Sequence, residues 1–159
     1  MSFQTNKGLD SQRNNNSAYN LETLVVLMKI LFVCSGNAYR SPVAEALLRK
    51  LRPEIEIDSA GIHPAIPISE AAKSYLGREN ATKHLKQAPE GLDTKRLGEY
   101  DLIVAMKEEH KDAILSRCPQ CAGKIVIWNI DDPYFLPHGY TEKIFKEIKA
   151  KVAELADSL

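Results

Sequence analysis

The chain has 159 residues, 44% of them apolar, enough for one domain with a sizeable core. Its 21 basic and 21 acidic residues balance, which argues against a nucleic-acid surface or a basic membrane-binding face. No apolar run reaches the length of a membrane span, and the three cysteines form an odd count with no disulfide framework, which suggests a reduced, cytoplasmic protein.

Residues 1 to about 22 are polar, include Asn14, Asn15 and Asn16 in a row, and show no apolar period. We expect a disordered extension there, with no catalytic role. The stretch Leu24 to Val33 is interrupted by Lys29 and lacks a basic leader and a cleavage site, so it does not read as a signal peptide. Leu24 to Leu27 either lengthen the first strand or lie against the domain. Ile30-Leu31-Phe32-Val33 is a short, fully apolar run, as expected of a buried parallel strand, and it stops at Cys34. Ser41 then stands where a helix N-cap belongs, with Pro42 at the first helical position. Between strand and helix lies Ser35-Gly36-Asn37-Ala38-Tyr39-Arg40. Gly36 and Asn37 are the residue types that best tolerate a left-handed backbone. Such a loop can turn its N–H groups inward as an anion nest above the positive end of a helix dipole. Helix N-termini and neighbouring cations favour thiolates over thiols. Arg40 adds a planar fork matched to phosphate oxygens. A thiolate, a cradle of amides and a guanidinium together suit attack on a tetrahedral oxyanion, phosphate above all.

The stretch Val33-Cys34-Ser35-Gly36-Asn37-Ala38-Tyr39-Arg40-Ser41-Pro42-Val43-Ala44-Glu45 resembles the signature of the low-molecular-weight protein tyrosine phosphatases, whose fold is shared by thioredoxin-coupled arsenate reductases. The resemblance runs from about Met28 to the C-terminus. It includes Asp58-Ser59-Ala60-Gly61, Asp101-Leu102-Ile103-Val104-Ala105-Met106 and Asp132-Pro133-Tyr134.

A first helix is expected from Pro42 to about Leu51, with Val43, Leu47, Leu48 and Leu51 on one face. Ile55 and Ile57 alternate with charged residues in a second strand, Glu54 to Ser59. The resemblance places the turn ending at Gly61 near the active site. It makes His63-Pro64-Ala65-Ile66-Pro67 a loop that walls the pocket, without the large aromatic that relatives often carry there. His63 reads as a surface residue. Ser69 caps a helix through Leu76, ended by Gly77. His84 is expected to pack or face solvent, and Leu92 to Tyr100 to form a short helix and loop. Leu102 to Met106 is a third strand, covered on both faces. A helix from Lys107 or Glu108 to about Ser116 follows.

Cys118-Pro119-Gln120-Cys121 has three readings: half a zinc site, a redox or stabilising disulfide, or two unremarkable thiols, which is the reading we adopt. No second such pair exists in the chain, and His110, expected within the preceding helix, faces the wrong way for a compact zinc site. Lys124 to Trp128 is a fourth strand, followed by Asn129-Ile130-Asp131-Asp132-Pro133-Tyr134. Carboxylates after a parallel strand lie on the same sheet edge as the Cys34 loop, where a proton donor is needed. Thr141 is expected to cap a long last helix, with Ile144, Phe145, Ile148, Val152 and Leu155 on its core face.

Four alternations of strand and helix argue an open parallel α/β sheet with helices on both faces, in a domain spanning 28–159. The resemblance implies strand order 2-1-3-4 and a site at the strands' carboxyl ends. It also implies phosphomonoester hydrolysis through a phosphocysteine: Cys34 as nucleophile, Arg40 binding the phosphoryl oxygens, Asp132 as general acid and base. Ser35, Gly36, Asn37, Ala38, Tyr39 and Ser41 would hold the phosphate and thiolate, and Tyr134 would flank an aryl group. No metal or organic cofactor is required. The expected partner is a phosphorylated protein or a small aryl phosphate. Tyr39 stands where many relatives have a second cysteine, and Ala38 is neither the branched residue nor the threonine that separate phosphotyrosine from phosphoarginine enzymes. Arsenate reduction, which needs a relay of thiols, and a non-catalytic phosphate-binding module are the alternatives.

Overall fold

The computed structural model describes residues 28–159. The extension expected at 1–22 and the stretch Leu24 to Leu27 lie outside the described residues. Four parallel strands, β1 (Lys29–Cys34), β2 (Glu56–Gly61), β3 (Leu102–Ala105) and β4 (Ile125–Ile127), form one sheet in the order β2-β1-β3-β4. β1 is central. It pairs with β2 from Lys29↔Glu56 to Cys34↔Gly61, and with β3 from Ile30↔Leu102 to Val33↔Ala105. Central placement explains its composition: Ile30, Leu31, Phe32 and Val33 are all fully buried because both faces are covered.

The two-residue period of the strand divides the core. Ile30, Phe32 and Cys34 join one apolar cluster with α1 (Arg40–Leu51), α2 (Glu70–Arg78) and α4 (His138–Ser158). Leu31 and Val33 join the other, with Ile114 of α3 (Glu108–Arg117) and with Cys118 and Cys121. The helices thus cover both faces, as the alternation of elements predicts. In the larger cluster Phe32 meets Trp128 at 5.4 Å between ring centroids, and Tyr75 of α2 meets Phe145 of α4 at 5.2 Å. On α4, Ile144, Phe145, Ile148 and Val152 are buried and Leu155 packs against them. Burying each such large side chain is worth about 1.5–3 kcal/mol. Among the described residues, no helix is long and apolar enough to cross a membrane.

Several boundaries differ from those read in the sequence. α1 begins at Arg40, so Ser41 is inside the helix; Tyr39 occupies the cap position without a side-chain bond. Pro42 is still in the first turn, where N–H groups have no helical partner to lose. Leu51 is 51% exposed because the helix ends there, beyond the sheet's cover. β2 starts at Glu56 and continues through Gly61. Ser69 does cap α2, accepting from the Ala72 N–H at 3.0 Å, but Gly77 lies within the helix and the chain leaves through Asn80 at φ 55°. The stretch between α2 and β3 contains short 3₁₀ turns at Thr82–His84, Leu92–Thr94 and Leu97–Glu99 and a single parallel bridge from Gly91 to Gly61; His84 is half-buried. α4 starts at His138, after Pro137, rather than at Thr141. Cys118 and Cys121 are joined in a disulfide, so two unremarkable thiols was the wrong reading, and so was the absence of disulfides inferred from the odd count. The 3₁₀ turn Pro119–Lys124 brings their Cα atoms to 5.4 Å.

Candidate active site

The carboxyl end of β1 delivers Cys34, 2% exposed, to the base of a cavity of about 290 Å³. The loop Ser35–Tyr39 turns around the thiol. Of its two candidates for a left-handed backbone only Asn37 adopts one, at φ 54°; Gly36 keeps a negative φ. Asn37 is held there from three sides. Its Nδ2 donates to Ser41 Oγ at 2.8 Å and to Ser59 Oγ at 2.9 Å, and its Oδ1 accepts from the Glu90 N–H at 2.8 Å. The turn aims the Asn37 N–H at Cys34 Sγ, 3.3 Å away. Ser41 Oγ is 2.9 Å from the same sulfur. An amide nitrogen can only donate, so Ser41 accepts from Asn37 and keeps its own proton for the sulfur. A thiolate here therefore meets two donors.

The loop rests on β2. Ile62 and His63 donate their N–H groups to the carbonyls of Cys34 and Ser35 at 3.1 and 2.8 Å. Gly61 permits this approach: a Cβ at that position would lie 2.8 Å from Asn37 N, Gly36 C and Ser35 O. Below Asn37 the polar contacts continue inward. Ser59 Oγ donates to Glu45 Oε1 at 2.6 Å and accepts from Lys86 Nζ at 3.3 Å. Glu45 is paired with Arg49 at 3.1 Å, and burial pushes its carboxyl above the usual range.

Arg40, the first residue of α1, is 1% exposed. Its Nη1 donates to the Ile130 carbonyl at 2.9 Å, and its Nη2 reaches Ser35 Oγ at 3.3 Å and Asp132 Oδ2 at 3.3 Å. The two neighbouring aspartates have different surroundings. Asp132 turns inward to Arg40, and its Oδ1 accepts from the Tyr134 N–H at 3.0 Å. Asp131 is exposed and held by Lys107 Nζ at 2.7 Å, which keeps its carboxyl below the usual range.

The cavity lies between two lips. One is formed by His63, Ala65 and Ile66, all exposed; the other by Tyr134 and Phe135, 60% and 79% exposed, their rings edge to face at 5.1 Å. Ala38, Tyr39 and Gly36 complete the lining. Every residue expected at the site from the sequence except the buried braces Asn37 and Ser41 therefore borders this cavity, and those two sit directly behind its sulfur. Phe135 and His110 were missed. Phe135 could have been found as a second aromatic in the turn after Asp132-Pro133. His110 carried no local signal. It is fully buried on α3, and its Nε2 is 2.9 Å from Ser35 Oγ.

A cysteine beneath an amide-lined turn, with a buried guanidinium and a carboxylate across the cavity, defines a phosphate-directed nucleophile site on an open parallel sheet. The comparisons agree on the class. Residues 29–159 match the profile of the family described as low molecular weight phosphotyrosine protein phosphatase, and the chain belongs to that family. It is similar to the low molecular weight protein-tyrosine-phosphatase Etp of Escherichia coli, 30% identical over 82% of this chain and 93% of the relative. Among solved structures, Wzb of Vibrio vulnificus in complex with benzylphosphonate superposes with TM-score 0.73 at 28% identity, covering 84% of this chain and 99% of that one. The YwlE arginine phosphatase of Geobacillus stearothermophilus superposes with TM-score 0.70 at 30% identity, covering 82% and 92%.

Proposed function

We propose that this enzyme is a protein tyrosine phosphatase whose Cys34 attacks phosphorus, releasing the tyrosine oxygen and leaving a phosphocysteine. Arg40 and the N–H groups of Ser35 to Arg40 hold the phosphoryl oxygens as charge spreads over them. Asp132, protonated, donates to the leaving oxygen; as carboxylate it then takes a proton from the water that attacks the phosphocysteine and regenerates the thiolate. The Asn37 N–H and the Ser41 hydroxyl stabilise the thiolate before attack and after release.

The observation that carries this reading is the division of the aspartates. Asp132 shares Arg40 Nη2 at the cavity, whereas Asp131 is taken up by Lys107 outside it. A phosphate displacing Asp132 from Arg40 would leave that carboxyl beside the bond to be broken. Tyr134 and Phe135 on one lip and Ile66 on the other support an aryl phosphate carried by a protein as the substrate. A relay to Cys118 and Cys121 is not favoured: they are joined to each other and belong to the core cluster on the other face of the sheet from Cys34. A thiolate nucleophile must stay reduced to act, which favours a reducing, cytoplasmic location, although the Cys118–Cys121 bridge weighs against it. The test is steady-state turnover of para-nitrophenyl phosphate, a phosphotyrosine peptide and a phosphoarginine peptide. The expected result is hydrolysis of the first two with little of the third. Preference for phosphoarginine would overturn the substrate assignment, and no hydrolysis of any would overturn the mechanism.

A further inference from the structure

Ser35 has a second set of contacts, which the mechanism above does not use. His110 is the third residue of α3, and its Nδ1 accepts from the Lys107 N–H at 3.0 Å. A backbone N–H cannot accept, so Nδ1 carries no proton. The neutral ring holds its proton on Nε2, which donates to Ser35 Oγ at 2.9 Å. Glu109 Oε1 lies 3.7 Å from Nε2, beyond hydrogen-bonding distance. Burial, with Arg40 and Lys107 nearby, pushes the His110 pKa down to about 4, in keeping with a neutral ring at neutral pH. Arg40 Nη2 donates to the same Ser35 oxygen at 3.3 Å.

Both lone pairs of Ser35 Oγ are thus occupied by donors. A serine hydroxyl normally rotates to donate or accept as its neighbours require; this one is left only its own O–H to offer. Among the described residues no acceptor takes that proton. Ser35 borders the cavity together with Cys34, Arg40 and Asp132.

We infer that the Ser35 hydroxyl is a further catalytic group, a donor fixed toward the phosphoryl oxygens, and that His110 is the positioning residue that fixes it. The inference rests on the phosphatase reading. It adds to the backbone cradle one side-chain donor whose direction is set before substrate arrives, the arrangement in which a donor to developing charge loses least to reorganisation. The coupling runs from α3 through a neutral imidazole to the residue that follows the nucleophile.

The experiment compares Ser35→Ala, Ser35→Thr, His110→Asn, His110→Gln and the Ser35→Ala/His110→Asn double variant. The readouts are kcat and KM for para-nitrophenyl phosphate and calorimetric binding of inorganic phosphate. Asparagine at 110 keeps an acceptor for the Lys107 N–H but does not reach Ser35, whereas glutamine keeps the longer donor. Ser35→Ala should lower kcat/KM about tenfold, less than the roughly 10²–10³ of a sole oxyanion donor because Arg40 and the amides remain. It should weaken phosphate binding, while Ser35→Thr, which keeps the hydroxyl, stays near the parent. His110→Asn should reproduce most of that loss, mainly in kcat, with glutamine recovering part of it. In the Ser35→Ala background it should cost nothing further. Unchanged turnover and phosphate affinity in Ser35→Ala would overturn the assignment of the hydroxyl. An undiminished His110→Asn effect in the absence of the hydroxyl would overturn the positioning role. Should His110→Asn fail to fold, the Ser35 pair still decides whether the hydroxyl acts. An active Cys34→Ser protein would instead sink the phosphatase mechanism itself, while phosphate binding still reports on the Ser35 donor.

Discussion

Two loops meet over Cys34, and they are built in opposite ways. The Ser35–Tyr39 loop is tied down on every side: Asn37 is fully buried, its side chain makes three hydrogen bonds, and Gly61 lets the backbone sit directly on β2. The Asp132–Phe135 segment across the cavity is anchored at few points. Asp132 holds Arg40 and its own turn, Pro133 is buried, and the two aromatics that follow stand in solvent. The contrast separates two tasks. Geometry around phosphorus must be fixed to fractions of an ångström and is set in a buried polar network. Fit to the rest of a substrate is left to side chains whose change costs little stability.

The largest effect should come from the buried side. Cys34→Ser should reduce para-nitrophenyl phosphate turnover to background while the far- and near-ultraviolet circular dichroism stays that of the parent, because a hydroxyl is far less ionised than a thiol. Measurable turnover in a homogeneous preparation of that variant would remove Cys34 as nucleophile.

Next comes Asp132, the proposed general acid on the exposed side. Asp132→Asn should slow hydrolysis of aryl phosphates with poor leaving groups by about 10²–10⁴-fold, the usual scale of general acid–base catalysis, and by less when the leaving group needs no proton. Asp131→Asn should do far less, since its carboxylate is bound to Lys107. If the two variants exchange effects, the acid lies on the other aspartate and the contrast between the loops must be redrawn.

A pH experiment sharpens the same contrast from behind the buried loop. His110 has a folded-state pKa of about 4, below its ordinary 6.5, because burial and the nearby Arg40 and Lys107 disfavour the imidazolium. Between those values the unfolded chain binds more protons than the folded one. Stability therefore rises with pH through that window, and is lost as pH falls from about 6.5 toward 4. A shift of this size corresponds to roughly 3 kcal/mol. Urea titrations at pH 7 and pH 4.5 should show a smaller difference for His110→Asn than for the parent. Equal acid sensitivity in both would show that the imidazole is not held neutral.

How far the sequence revealed these loops follows from the range of the interactions involved. The residues from Cys34 to Ser41 were legible because an apolar run, a turn and a helix start are local patterns; strand order was legible only through the resemblance to a known family. The partners that complete the site are remote in sequence. His110 reaches Ser35 across 75 positions and Arg40 reaches the Ile130 carbonyl across 90. No periodicity announces such a contact. Ser41 was legible only in part. A serine before a proline looks like a helix cap, and that reading fails because the helix begins one residue earlier; the expected bond from its hydroxyl to the sulfur of Cys34 is present, with a further one accepted from Asn37. The uninterrupted apolar run made Ile30 to Val33 legible as a strand covered on both faces, but it could not show that the cluster containing Leu31 and Val33 also holds a disulfide.

That second cluster provides the smallest expected effect and a control for the whole comparison. Cys118 and Cys121 are 3% and 0% exposed, and Cys121 Sγ lies 3.6 Å from the Leu97 carbonyl. Their bridge closes a loop of only four residues, since the two are three apart in sequence. The chain-entropy relation gives about 2 kcal/mol for a loop that short. The Cys118→Ser/Cys121→Ser variant should therefore lose about that much stability in urea, and a strong reductant should lower the stability of the parent but not of the variant. Turnover should stay within about twofold of the parent, because the pair belongs to the cluster of Leu31 and Val33, on the face of β1 away from Cys34. A parent stability indifferent to reductant would mean that the thiols are not bridged in solution. A large loss of kcat with the fold intact would mean that the sheet transmits strain from that face to the nucleophile loop, and that the buried network around Asn37 is less self-sufficient than its hydrogen bonds suggest.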